Sequence, residues 1–126
     1  MKINKGKQMS ILMYAISNYN YYSNNHNNMN SMIKYLIDNN TLINDRDNEG
    51  NTPLVYALKS GNNEIANILI DYGADITSVN NNYESILDII NNNNIDLFSS
   101  SNNYYKKVKR DNNDNAIIRI KQLLQT

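Results

Sequence analysis

A chain of 126 residues with one histidine and no cysteine has few groups from which to build a reaction centre. His26 lies in a polar stretch with no second imidazole and no thiolate, so the spacing of a metal site is missing. A Ser-His-Asp relay would have to use His26, and no nucleophile elbow occurs. Gly6-Lys7 has the ending of a phosphate-binding loop, without its upstream glycine or its preceding strand. Asp45, Asp47 and Glu49 gather acidic oxygens, but the later bidentate Glu of a calcium loop is absent. Their spacing supports a solvated turn. Tyr104 and Tyr105, followed by Lys106, Lys107, Lys109 and Arg110, combine aromatic faces with cations as single-strand binders do. That cluster is short, Asp111 and Asp114 stand beside it, and the net charge of the chain is zero. No constellation supplies both a nucleophile and a base. The chain reads as a non-enzyme with no cofactor, no metal and no small-molecule substrate.

The order in the chain lies elsewhere, in residues 47–77. Residues 48–51 are turn chemistry, with Gly50 able to take a left-handed backbone. Thr52 suits a helix N-cap and Pro53 the first helical position, where no N–H is needed. Leu54, Ala57 and Leu58 form one apolar stripe at helical spacing, and Gly61 ends that helix. Glu64 opens a second helix with a charge suited to its N-terminus. Its stripe is Ile65, Ile68 and Leu69, and Gly73 closes it. The unit is a turn and two short antiparallel helices, each too short to persist alone in water.

Such a unit needs neighbours, and copies flank it. Ser85-Ile86-Leu87 falls about 33 positions after Thr52-Pro53-Leu54. Upstream, Ser10-Ile11-Leu12-Met13-Tyr14-Ala15 matches Thr52-Pro53-Leu54-Val55-Tyr56-Ala57. Tyr35-Leu36-Ile37-Asp38 aligns with Ile68-Leu69-Ile70-Asp71, and Asn40 stands in for Gly73. On Gly50, Thr52-Pro53-Leu54, Ala57, Gly61, Glu64-Ile65, Leu69 and Gly73-Ala74-Asp75, residues 47–79 resemble an ankyrin repeat. That family usually carries His after Thr-Pro-Leu, tying neighbouring turns by hydrogen bonds. Val55 holds that place here, with Met13 and Asp88 in the other copies. The expected array is therefore less firmly tied than a consensus one.

The resemblance implies an all-α fold: an ankyrin-repeat solenoid of about three helix-turn-helix units with irregular insertions. One domain covers residues 1–126, in units of roughly 3–44, 45–79 and 80–126. In the first, Ser10 is the N-cap and Leu12, Ala15 and Ile16 face the core. An insertion at residues 20–30 is expected to bulge outward as a loop. Ser31 then caps a helix with the stripe Ile33, Leu36 and Ile37. In the third, Ile86, Leu87, Ile89 and Ile90 continue as a helix, and residues 91–115 carry no dependable period. A closing helix puts Ile117, Ile120, Leu123 and Leu124 on one face, with Arg119 and Lys121 exposed.

Composition bounds the setting. Of the 126 residues, 28 are Asn. They gather in turns and insertions and spare the apolar stripes, which fits AT-rich coding better than an assembly-prone tract. No signal peptide and no membrane-spanning run is evident. The absence of Cys fits a reducing compartment, so a cytoplasmic setting is expected.

What the resemblance implies for function is a protein–protein interaction module, since stacked units align their turns beside a concave face. The presented residues would be Lys7, Met9 and Ser17 in the first unit, Asn48, Glu49, Asn51 and Lys59 in the second, and Asn81, Asn82 and Glu84 in the third. Short, Asn-rich ankyrin chains also resemble those of large DNA viruses, poxviruses among them. On that resemblance the partner is a host protein in the host cytoplasm; an AT-rich protist or fungal protein would read much the same. Two other readings stay open: a degenerate remnant of a longer array, and weak nucleic-acid binding through Lys106, Lys107, Lys109 and Arg110. No membrane partner is expected.

Overall fold

The computed structural model describes residues 2–4, 8–18, 26–39, 42–95 and 115–125. In chain order these form β1 (Lys2–Asn4), β2 (Met9–Ser10), α1 (Ile11–Ser17), α2 (His26–Asp38), α3 (Pro53–Lys59), α4 (Asn63–Asp71), α5 (Ile86–Asn92) and α6 (Ala116–Leu124). The two strands pair antiparallel as a small ribbon ahead of α1, an addition to the all-α expectation.

The starts of the helices follow from their caps. The Ser10 hydroxyl accepts from the Met13 amide at 3.2 Å. Ser85 accepts from Asp88 N at 3.1 Å while the Asp88 carboxylate accepts from Ser85 N at 3.0 Å, a complete capping box. Asn62 and Asn115 cap α4 and α6 with their side-chain oxygens. Thr52 has the extended backbone of a cap and precedes Pro53, yet its hydroxyl makes no capping bond.

The ends of the helices repeat one motif. After α3, Gly61 (φ +71°) donates to Leu58 O and Asn62 N donates to Ala57 O. After α4, Gly73 (φ +93°) donates to Ile70 O and Ala74 N to Leu69 O. After α5, Asn94 (φ +51°) donates to Asn91 O and Ile95 N to Ile90 O. Each is a left-handed residue that turns the chain while satisfying the last carbonyls. Asn94 does this 33 positions after Gly61, inside the stretch that looked aperiodic. Asn40, expected to do the same for α2, lies outside the described residues.

Packing follows a simple step along a stack. α1 packs on α3 and α3 on α5; α2 packs on α4 and α4 on α6; within units α1 meets α2 and α3 meets α4. Leu12, Ile16, Ile33, Leu54, Leu58, Ile65, Leu69, Ile86, Ile89 and Ile120 are all buried in one continuous cluster. At about 2 kcal/mol for a fully buried aliphatic side chain, no single hairpin could offset its ordering entropy. The shared core is what makes three of them fold.

A second seam joins the outer helices by polar bonds. The Asn30 amide donates to Glu64 Oε2 at 2.5 Å. Asn63 Oδ1 accepts from Ala116 N at 2.8 Å. Arg119 donates to Asn67 Oδ1 at 2.8 Å and to Asp71 Oδ1 at 2.7 Å.

Several expectations about the outer units need correction. Residues 26–30 are not loop: α2 begins at His26, and Ser31 is interior to it rather than its cap. Asn disfavours helix intrinsically, but the buried Asn30 bonded to Glu64 holds that extra turn in place. Arg119 is not free on the surface, because its guanidinium is spent on α4. Leu123 and Leu124 are exposed, so the apolar face of α6 ends with Ile120.

Candidate protein-binding face

Between the helical hairpins the chain makes tight turns, and the first link in building them is a side chain. Asp47 Oδ1 accepts from the amides of Glu49 and Asn51, both at 2.9 Å. Asp47 N donates to Asn51 O and Gly50 N to Asp47 O, closing the turn. Thirty-three positions on, Asn80 Oδ1 accepts from Asn82 N at 2.9 Å and Glu84 N at 3.0 Å. Asn80 N donates to Glu84 O and Tyr83 N to Asn80 O. The two turns are the same object built on Asp and on Asn.

Both need a left-handed residue at one position. Gly50 (φ +83°) supplies it in the second unit and Tyr83 (φ +63°) in the third. Gln8 (φ +56°), just before Met9 and Ser10, supplies it in the first. Only Gly50 could be recognised from residue type, since Gln and Tyr rarely adopt this conformation.

Adjacent turns are tied together. Asn81 donates from its amide N to Glu49 O and from Nδ2 to Asn48 O, each at 2.9 Å. Arg46 Nη2 donates to Val79 O at 2.7 Å. Asn80 Nδ2 reaches Asn51 Oδ1 at 3.3 Å and Glu84 Oε1 at 2.9 Å. Asp75 N donates to Asn44 Oδ1 at 2.8 Å. The ties expected to be lost with the missing His are thus supplied by Asn and Arg side chains. What remains of the loss is Thr52 Oγ1, buried with no hydrogen-bond partner, beside a buried Val55.

Electrostatics reinforces the second turn. The Tyr56 hydroxyl donates to Asp47 Oδ2 at 2.5 Å. Burial, then this bond and the charges of Asp47 and Glu49, push the Tyr56 phenol far above its ordinary range. Glu84 is held below the usual carboxylate range by hydrogen bonds from Asn80 and Asn92.

The residues expected to meet a partner divide accordingly. Ser17, Asn48, Glu49, Lys59, Asn81 and Asn82 are exposed, and Glu84 is half-exposed. Met9 and Asn51 are buried, which corrects their assignment. Asn51 is consumed by Asp47 and Asn80, and Met9 sits against the first unit behind the left-handed Gln8. Lys7, Gly6 and the cluster from Tyr104 to Arg110 lie outside the described residues. Asp47, expected to be solvated, is 6% exposed and is the internal acceptor of its turn. Sequence reasoning missed Tyr83, which is 89% exposed at the tip of the third turn. Its signal was its register: it lies 33 positions after Gly50.

Among the described residues, no group of three or more His, Cys, Asp or Glu is placed to hold a metal ion. No helix among them is long and apolar enough to cross a membrane.

Stacked helical hairpins with a bonded row of turns define a class, the helical repeat scaffolds that work through surface side chains. The chain belongs to the ankyrin-repeat family: the family described as Ankyrin repeats (3 copies) matches residues 1–80. A putative ankyrin repeat protein of Rickettsia bellii (strain RML369-C) is 45% identical over 47 residues, 37% of this chain and 28% of that relative. The chain thus spans well under two thirds of that relative's length.

Proposed function

We propose that the chain is a non-catalytic protein-binding module that engages a partner protein through its turns and the adjoining concave side of its first helices. The observation that carries this reading is the bonded row of turns. Asn80, Asn81 and Arg46 fix neighbouring turns to one another, so the side chains of Glu49, Asn82 and Tyr83 are held out from an ordered backbone. A preorganised surface loses less entropy on binding than a mobile one. An exposed aromatic in a left-handed turn suits an interface anchor.

Affinity capture from a cell lysate tests the reading, with Glu49→Lys, Asn82→Arg and Tyr83→Ala in parallel. Prey lost on these substitutions but kept on Lys121→Glu, an exposed α6 residue, would support it. Prey indifferent to all three would place the contact elsewhere. The further proposal that the partner is a host protein, met in the cytoplasm by a viral protein, is supported by the Asn-rich composition and irregular outer units. The bacterial relative lends that origin no support.

A further inference from the structure

The outer helices make two successive grooves, one between α2 and α4 and one between α4 and α6. By register, Asn30, Lys34 and Tyr35 of α2 correspond to Asn63, Asn67 and Ile68 of α4. Aligning the fully buried Leu69 and Ile120 puts Arg119 of α6 at the position of Ile68. The groove between α4 and α6 is filled by polar bonds. Asn63 Oδ1 accepts from Ala116 N at 2.8 Å, and the Arg119 guanidinium reaches Asn67 Oδ1 at 2.8 Å and Asp71 Oδ1 at 2.7 Å. The groove between α2 and α4 lacks those parts. Ile68 is uncharged and shorter than Arg119, and Lys34 stands where Asn67 does. A cleft of about 340 Å³ opens there, lined by Asn30, Ser31, Lys34, Glu64 and Ile68. Asn30 is 8% exposed and donates to Glu64, yet its Oδ1 has no hydrogen-bond partner, whereas that of Asn63 has one. Lys34 is exposed and makes no hydrogen bond or ion pair among the described residues.

We propose that this cleft binds a free α-amino acid with an aliphatic side chain, held by both of its charged ends. The α-carboxylate pairs with the Lys34 ammonium and accepts from the Ser31 hydroxyl. The α-ammonium donates to the Glu64 carboxylate and to Asn30 Oδ1, supplying the donor that Ala116 N supplies one groove along. The aliphatic side chain lies on Ile68. The lining selects this class of ligand. A cation alone, the group that Arg119 places in the neighbouring groove, would meet the Lys34 ammonium. An anion alone would meet the Glu64 carboxylate and leave Asn30 Oδ1 unpaired. A zwitterion answers both ends at once. The volume is at the lower end of the range for small-ligand sites, which suits a molecule of this size. Lys34 and Glu64 are both exposed, so screening keeps the affinity low, with a Kd on the order of 1 mM. The cleft lies between the outer helices, apart from Glu49, Asn82 and Tyr83, so its occupancy is independent of protein binding at the turns.

Amide chemical shifts of the isotopically labelled full chain, followed while L-leucine is added to about 20 mM, test this. Saturable shifts are expected at Asn30, Ser31, Lys34, Glu64 and Ile68, and none at Lys121. Leucinamide, which lacks the carboxylate, and N-acetylleucine, which lacks the ammonium, should each bind about fivefold more weakly. Lys34→Gln, at an exposed site, should keep the circular dichroism of the parent and weaken L-leucine binding by about the same factor. Glu64→Gln keeps an acceptor for the Asn30 amide and should do likewise. The absence of saturable shifts up to about 20 mM overturns the proposal. Equal binding of the three compounds overturns it too, as does L-leucine binding that is indifferent to Lys34→Gln.

Discussion

Thr52 and Ser85 hold the same position in successive units with opposite consequences for stability. The Ser85 hydroxyl is half of a capping box, so Ser85→Ala should cost about 1 kcal/mol. The Thr52 hydroxyl is buried and unpartnered, and leaving such a group unmade costs about 1–3 kcal/mol. Thr52→Val keeps the shape and removes the group, so it should be neutral or stabilising by about 1 kcal/mol. Urea midpoints at unchanged slope would check both; equal losses for the two would show that Thr52 has a partner after all. The left-handed positions give a second contrast. Tyr83→Gly relieves a conformational cost and should stabilise by about 1 kcal/mol. Gly50→Ala should destabilise by about 2 kcal/mol or more. Its Cβ would stand 2.7 Å from Arg46 Nη2 and 2.9 Å from the Asn81 amide.

At the scale of an element, the turn of the second unit stands on Asp47. Asp47→Ala strips acceptors from two amides and from the Tyr56 hydroxyl and should cost about 3 kcal/mol. Asp47→Asn keeps an amide oxygen for the turn, as Asn80 does one repeat later, and should cost less than half of that. The Tyr56 phenol, raised in the folded chain, sets a pH dependence. Its contribution is full below the unfolded phenol value of about 10 and is lost as pH rises beyond it. Thermal melts between about pH 8 and pH 11 should show this loss, and Tyr56→Phe should flatten it. Persistence of the full slope in Tyr56→Phe would assign it to another group. This element also shows what the sequence displays and what it hides. Gly50, Thr52-Pro53, Gly61 and Gly73 announce the central unit because their backbone roles are written in residue type. Gln8, Tyr83 and Asn94 perform the same roles under the wrong names, and only register exposes them. Asp47 looked solvated because a carboxylate's default is water; three converging donors override that default. Asn30 looked like loop because its propensity is weak, and a tertiary bond to Glu64 decides otherwise.

Across the whole molecule, stability should be read as a sum over neighbouring contacts, since among the described residues the main helix contacts run from each unit to the next. α3 lies between α1 and α5, and α4 between α2 and α6. Leu58, fully buried in α3, and Ile120, fully buried in α6, therefore report different things. Leu58→Ala should cost about 3 kcal/mol and, because its unit contacts both others, should raise amide exchange in α1 and α2 as well as in α5 and α6. Ile120→Ala should cost a similar amount yet fall first on α6 and on α4, against which it packs, leaving the amides of α1 and α2 nearer their original protection. Hydrogen exchange resolved by segment separates the two patterns. Equal loss everywhere from both substitutions would mean that the three hairpins unfold only as one unit. Such an outcome would also remove the reading of the chain as a decayed remnant, because a remnant should come apart piecemeal. A graded pattern instead ties the row of turns to the central hairpin, whose Asp47 and Gly50 set the geometry against which Asn80 and Asn81 are bonded.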